Sequence, residues 1–314
     1  MDSTEIIFGI LILLEISFGV LGNVFLLLGF IFLVSANKKI KSSDLILAHL
    51  AVANTMTLLS KGIPDILSAW GMRNFLGDIG CKTLLYLYRL SRGLAICTTC
   101  LLSIFQAVTV SPSTSQWAGL KAKLPKSITP TCLLSWILNL LVDVTAPILV
   151  TGPQNSTSRQ TVNILKYCSS TSIRAITTLV NAIVLSFRDL FLVGLMSGSS
   201  GYMVLLLHRH HRQVHHLHGS GHSSREMPEV RAVRCVLALV TLYILLYVRE
   251  TITLSVLINI RSNLPLLLNT HMILTFTFSA ISPFLMILSN RRMRNFRKKN
   301  LPVCDTDLSP VPGK

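Results

Sequence analysis

Seven runs of apolar residues divide this chain, separated by short polar connections: Ile6–Val34, Leu45–Trp70, Thr83–Val110, Ile128–Val150, Ala175–Leu207, Ala232–Ile260 and Leu264–Leu288. Each reaches about the twenty residues an α-helix needs to cross ~30 Å of hydrocarbon at ~1.5 Å per residue, several with slack for tilt. Membrane strands would run nearer ten residues and alternate apolar with polar side chains, a pattern these runs lack. In lipid every backbone N–H and C=O must be satisfied within the protein, and a helix does that alone. The pattern predicts an all-α membrane protein: a seven-transmembrane helix bundle forming one domain over 1–314, with a tail over 289–314. The first run exceeds the apolar core of a cleavable signal peptide and follows no basic stretch, so it is expected to be retained as a signal anchor.

Composition agrees with lipid as the solvent: 51% of residues are hydrophobic, 13% are charged, and mean hydropathy is +0.59. A net charge of +16 raises the question of nucleic acid. The basic residues, however, lie in short clusters between spans, without aromatic interleaving or a DNA-binding motif, so no nucleic-acid partner is expected. The clusters alternate. Lys38, Lys39 and Lys41 follow span 1; Lys121, Lys123 and Lys126 follow span 3; Arg209, Arg212, Arg225, Arg231 and Arg234 follow span 5; and Arg291, Arg292, Arg294, Arg297, Lys298 and Lys299 follow span 7. These seventeen face five in the opposite connections, Arg73, Arg159, Lys166, Arg174 and Arg261. The positive-inside rule then places the N-terminus outside and the C-terminus in the cytoplasm, with 291–299 expected as a short amphipathic helix on the inner leaflet, against anionic lipid.

Two other features agree with that direction. The Asn155-Ser156-Thr157 sequon falls in the connection after span 4, on the side expected to be outside, which makes Asn155 a candidate glycosylation site. Cys81, at the outer end of span 3, and Cys168, in that same outer connection, are the two of seven cysteines expected on the oxidising side, where a disulfide is chemically sensible.

Depth along the spans then sorts the charges inside the membrane. Glu15, Lys61, Asp65, Arg89, Arg92, Asp143, Arg188, Asp189, Arg249 and Glu250 lie within spans, mostly in the outer half, with Arg188 and Asp189 nearer the middle. An unpaired charge there costs several kcal/mol, so these side chains are expected to face the bundle interior or water. Lys61 and Asp65 are spaced i,i+4 and can pair on one helix. Arg89 and Arg92, spaced i,i+3, need an acidic partner such as Asp143, or a ligand anion. Ion pairs that merely hold helices together are one reading; a polar crevice open to the outside is the other. On the second, Arg89, Arg92, Asp143, Arg188, Arg249 and Glu250 are the candidate ligand-binding residues.

No catalytic constellation appears: the chain has no G-x-S-x-G, H-E-x-x-H or phosphate-loop motif, and its connections are too short for a soluble catalytic domain. Seven of nine histidines crowd between His208 and His222. That tract lacks the cysteines and fixed frame usual for structural zinc, so neither a metal site nor a cofactor is expected, and it reads as a basic segment beside headgroups or an acidic partner.

Several local motifs narrow the class. Gly22-Asn23 in span 1, His49-Leu-Ala-Val-Ala-Asn54 followed by Lys61-Gly-Ile-Pro64 in span 2, and Phe105-Gln106-Ala107 with Ser111-Pro112-Ser113 and Trp117 after span 3 form one set. Gly201-Tyr202-Met203, His208-Arg209-His210, Arg231-Ala232 and Ser282-Pro283-Phe284 form another. Together they resemble the vomeronasal type 1 (pheromone) receptors, a family of G-protein-coupled receptors, over residues from about 15 to 300. The resemblance implies a Cys81–Cys168 disulfide, a pheromone-like small-molecule ligand detected by vomeronasal sensory neurons, a plasma-membrane location, and activation of an inhibitory-type heterotrimeric G protein. Gln106, Arg209, Arg212, Arg234, Arg291 and Arg292 are then the candidate G-protein-facing residues. Asn54 stands where most rhodopsin-like receptors carry Asp, which removes the charge that holds a sodium ion. The Asp-Arg-Tyr latch is missing after span 3, span 6 lacks a Trp-x-Pro bend, and Arg249-Glu250 departs from the family pattern.

These features predict a ligand-gated conformational switch rather than an enzyme. A bitter-taste-type receptor shares the topology, but the outer cysteines and the span 2 and 3 motifs speak against it. A multi-pass transporter is the alternative from another class, against which stands the lack of repeated halves. Association with itself or another receptor chain is compatible with the sequence.

Overall fold

The computed structural model describes residues 3–37, 39–72, 75–112, 117–148, 150–151, 162–165, 168–170, 175–217, 228–259 and 265–290. Seven helices account for the spans: α1 (Ser3–Ser35), α2 (Ser42–Ala69), α3 (Asp78–Val110), α4 (Ala118–Val142), α5 (Ala175–Leu217), α6 (Pro228–Asn259) and α7 (Pro265–Ser289). All seven are long and apolar enough to cross a membrane. Two bounds differ from hydropathy. Helix α4 begins ten residues before the expected 128, and α5 runs ten past the expected 207 into the His-rich tract. Hydropathy marks where lipid ends, whereas a helix need not stop there: Arg209–Leu217 holds no Gly or Pro, and α4 continues through Pro125 in the Lys121–Lys126 stretch.

Span 4 also ends differently from a single long helix. A 3-10 turn over Asp143–Ile148 follows α4 and leads into a small antiparallel sheet of β1 (Val150–Thr151), β2 (Val162–Leu165) and β3 (Cys168–Ser170), ordered β1-β3-β2. The sheet is tied to the start of α3 by a Cys81–Cys168 disulfide, with the Cα atoms 5.9 Å apart. Cys97, Cys100, Cys132 and Cys235 lie within the helices, outside any disulfide.

Helix α3 is the axis of the bundle, in contact with α2, α4, α5 and α6, while α1 packs on α2 and α7. Its buried Leu90, Leu94 and Ile96 meet Ile46, Leu50, Met196, Leu239 and Phe278 in one continuous core. The outer surface is as apolar as the core: Phe18, Leu21, Phe187, Leu190 and Phe191 are exposed, as a lipid-facing surface requires.

Small residues allow α1 to lie close against α7. A Cβ on Gly19 would meet the Ala280 Cα at 3.0 Å, and one on Gly22 would meet the Pro283 ring at 2.9 Å. Pro283 has no N–H to give the Ser279 carbonyl one turn earlier. Asn23 supplies the missing donor, its Nδ2 lying 3.0 Å from that oxygen. Asn54 completes the tie, donating to Ser282 Oγ at 2.8 Å and Asn23 Oδ1 at 3.3 Å. The Gly-Asn, Asn54 and Ser-Pro-Phe motifs of three helices are therefore one buried joint. At the helix ends beyond it, Asp44 accepts the Lys41 backbone N–H at 3.2 Å and the Asn290 side chain at 2.8 Å, joining the start of α2 to the end of α7.

Candidate functional site

At the disulfide end of the bundle, six of the intramembrane charges form one chain across four segments. Arg89 Nε lies 3.2 Å from Asp143 Oδ1, and Arg188 Nη1 lies 3.4 Å from Asp143 Oδ2. Arg188 Nε reaches Asp189 Oδ1 at 3.0 Å, Arg92 Nη2 stands 3.9 Å from Asp189 Oδ2, and Arg92 Nη1 binds Glu250 Oε1 at 2.8 Å. Three cations alternate with three carboxylates, so the chain is close to electrically neutral. Neutrality is what makes it tolerable in a medium of low dielectric, where each ion left alone would cost several kcal/mol.

The helix periods place these residues. Arg89 and Arg92 share one face of α3, and Asp143 opens the 3-10 turn, where α4 unwinds and turns its fully buried carboxylate inward. Polar neighbours hold the ends: Arg89 Nη2 donates to Asn181 Oδ1 at 3.2 Å, which also accepts Thr145 Oγ1 at 2.8 Å. Lys61 and Asp65 pair within α2 at 3.0 Å, with the Lys61 ammonium 5.5 Å from the Tyr88 ring centre and 5.2 Å from that of Phe276.

Beside the chain lies a crevice of about 60 Å³ between α2, α3, α6 and α7, lined by Thr57, Tyr88, Arg92, Tyr243, Tyr247, Arg249, Glu250, Thr275 and Phe278. Tyr243 stacks on Tyr247 with ring centres 6.5 Å apart and meets Phe278 edge-on at 5.2 Å. The crevice thus has an aromatic wall and a charged rim. It is well below the ~300 Å³ of a typical small-molecule pocket, so a larger guest requires the rim to part. Arg92–Glu250 crosses that rim from α3 to α6.

Of the six candidate ligand residues, five join the charge chain. Arg249 does not: it lines the crevice, and its buried Nε has no hydrogen-bond partner among the described residues. Asp189, counted among the intramembrane charges but not among the candidates, is the link between Arg188 and Arg92. The aromatic wall also escapes sequence reasoning. Its signal is the i, i+4, i+7 stripe Tyr243, Tyr247, Glu250 on α6, which in an apolar span reads equally as core.

At the opposite end a second crevice, of about 200 Å³, opens between α2, α3, α6 and α7. Gln106 lines it with Asp44, Leu47, Val236 and Asn290. Arg234 is exposed on α6 nearby, and Arg209 and Arg212 are exposed on the long end of α5. Here α3 stops before Pro112, and Ser111 fastens it to α5 through Tyr202 (Oγ to OH 3.0 Å) while Lys121 donates to the Ser111 carbonyl at 3.0 Å. Ser103 and Ser199 add a second α3–α5 bond at 2.7 Å. These hydroxyls occupy the region where an acid–Arg latch is missing. Asn155, Arg291 and Arg292, with the expected amphipathic segment, lie outside the described residues.

Residues 6–299 match the vomeronasal organ pheromone receptor family. The chain belongs to that family. Among similar proteins, human vomeronasal type-1 receptor 3 is 39% identical over 298 residues, covering 93% of this chain and 94% of that receptor. Human vomeronasal type-1 receptor 4 is 40% identical, covering 88% of this chain and 92% of its own. Olfactory receptor class A-like protein 1 of Danio rerio is 36% identical, covering 94% and 92%. This member of the vomeronasal family is therefore a pheromone-receptor type of G-protein-coupled receptor, a multi-pass protein of the plasma membrane and not an enzyme. Membership implies a small-molecule ligand and a G-protein partner.

Proposed function

We propose that the crevice at the disulfide end faces outside and takes the pheromone-like ligand, and that the opposite crevice engages an inhibitory-type heterotrimeric G protein. The alternation of basic connections supports this direction, and so does the Asn155-Ser156-Thr157 sequon in the connection after span 4. The aromatic wall suits a small, mostly apolar molecule, whose polar group would meet Arg92, Arg249 or Glu250; Arg89, Asp143 and Arg188 form the charged backing. Ligand entering between Tyr247 and the rim competes with the Arg92–Glu250 contact. It therefore favours the arrangement in which α6 has moved from α3, shifting an equilibrium that exists without it. Gln106 and Arg234, with Arg209, Arg212, Arg291 and Arg292, form the face offered to the G protein and to anionic lipid.

One observation carries this reading: the 2.8 Å Arg92–Glu250 pair both lines the crevice and bridges α3 to α6. Cells expressing the chain with a calcium reporter, screened with small apolar molecules, supply a first agonist. Arg89→Ala and Glu250→Ala should each abolish most of its ligand-induced signal at normal surface expression. An unchanged response from both would place the ligand elsewhere.

A further inference from the structure

Gly93 lies in α3 next to Arg92, where α3 faces α4 and α5. A Cβ built there would stand 2.8 Å from Arg188 Nη1 and closer still to Asn139 Oδ1. Both are ends of side chains already committed to other partners, so yielding disturbs those bonds. Asn139 is 2% exposed; its Nδ2 donates to the Ser135 carbonyl at 2.7 Å and approaches Cys97 Sγ at 3.4 Å, which turns Oδ1 toward Arg188 Nη1 at 3.1 Å. Arg188 is held in turn between Asp143 and Asp189.

The consequence runs along the chain of charges. Arg188 occupies one oxygen of Asp189, and the other faces Arg92 across 3.9 Å, the longest link in the chain. Displacing Arg188 loosens its hold on Asp189, whose other oxygen is the second anchor of Arg92. The 2.8 Å Arg92–Glu250 contact is then left on a mobile guanidinium. At the far end, the Ser111–Tyr202 and Ser103–Ser199 bonds tie α3 to α5 and not to α6.

We propose that Gly93 is a positioning residue: its missing side chain seats Asn139 and Arg188, and the charge chain so seated holds α6 to α3 through Arg92 and Glu250. A side chain at 93 loosens that hold and raises signalling without ligand. The proposal shares the charge chain with the ligand reading above, but its readout needs no ligand.

The test is GTPγS uptake by a heterotrimeric G protein co-reconstituted with the full-length receptor in phosphatidylcholine–phosphatidylserine vesicles, with nothing added as agonist. Gly93→Ala should raise uptake about fivefold over wild type at equal receptor density, the low end of ordinary coupling between sites. Arg188→Met and Glu250→Gln should raise it as well, and Gly93→Ala should add nothing in the Arg188→Met background. Wild-type uptake by Gly93→Ala, or by Glu250→Gln, overturns the proposal, as does full additivity with Arg188→Met. Should Gly93→Ala fail to fold, Gly93→Ala/Asn139→Ala removes the closer of the two overlaps and keeps the one with Arg188. That double variant must then fold and show uptake above that of Asn139→Ala alone; failure to fold, or uptake equal to Asn139→Ala, overturns the proposal. The ligand reading fails separately, when Arg89→Ala and Glu250→Ala keep the ligand-induced signal whatever their basal uptake.

Discussion

Asp143 shows how much one residue's neighbours decide. It is fully buried and serves two cations, Arg89 at 3.2 Å and Arg188 at 3.4 Å. Neutralising it leaves two guanidinium groups facing each other in a low-dielectric interior, and breaking a buried ion pair costs about 3–5 kcal/mol. Asp143→Asn should therefore lower the melting temperature of the detergent-solubilised receptor clearly, together with its surface level. A melting temperature equal to wild type would mean that water, not Asp143, balances those cations. The sequence places Asp143 among candidate partners for Arg89 by depth alone. The local sign that α4 unwinds there is Pro147, which has no N–H to give the Asp143 carbonyl four residues earlier; which cations the turned carboxylate then meets is not written in the sequence.

At the scale of elements, the joint of α1, α2 and α7 rests on a proline defect repaired from a neighbouring helix. Asn23 serves the Ser279 carbonyl that Pro283 cannot and also accepts from Asn54. Asn23→Ala removes both bonds and leaves a buried carbonyl unpaired, at a cost of about 1–3 kcal/mol. Thermal unfolding of the purified variant should register that loss, and Asn54→Ala added to it should cost less than it does alone. Equal costs in both backgrounds would show that the two residues act independently. The motifs Gly22-Asn23, Asn54 and Ser282-Pro283 are legible as family marks, yet their meeting in one joint is not, since nothing in a linear pattern assigns partners across helices. Helix lengths escape the sequence for a related reason. Hydropathy reports the lipid boundary and so ends α5 at 207, although its polar continuation stays helical to Leu217.

Across the whole molecule, two crevices at opposite ends of one helix bundle share α3 and α6 as walls. The crevice at the disulfide end carries the α3–α6 ion pair, and the opposite one carries Gln106 and the exposed Arg234 nearby. Seven spans and their alternating charge are plain in the sequence because lipid imposes them on any chain. Which charges meet is not, because depth gives only one of three coordinates. We propose that ligand in the crevice at the disulfide end reaches the G protein through Arg92 and Glu250. The most direct test is nucleotide exchange on a co-reconstituted inhibitory-type heterotrimer, titrated with an agonist from the screen, for wild type and Glu250→Ala at equal receptor density. Wild type should respond steeply, and Glu250→Ala should show raised basal exchange with almost no ligand-induced increment. A full increment from Glu250→Ala at the same agonist concentrations would contradict the account.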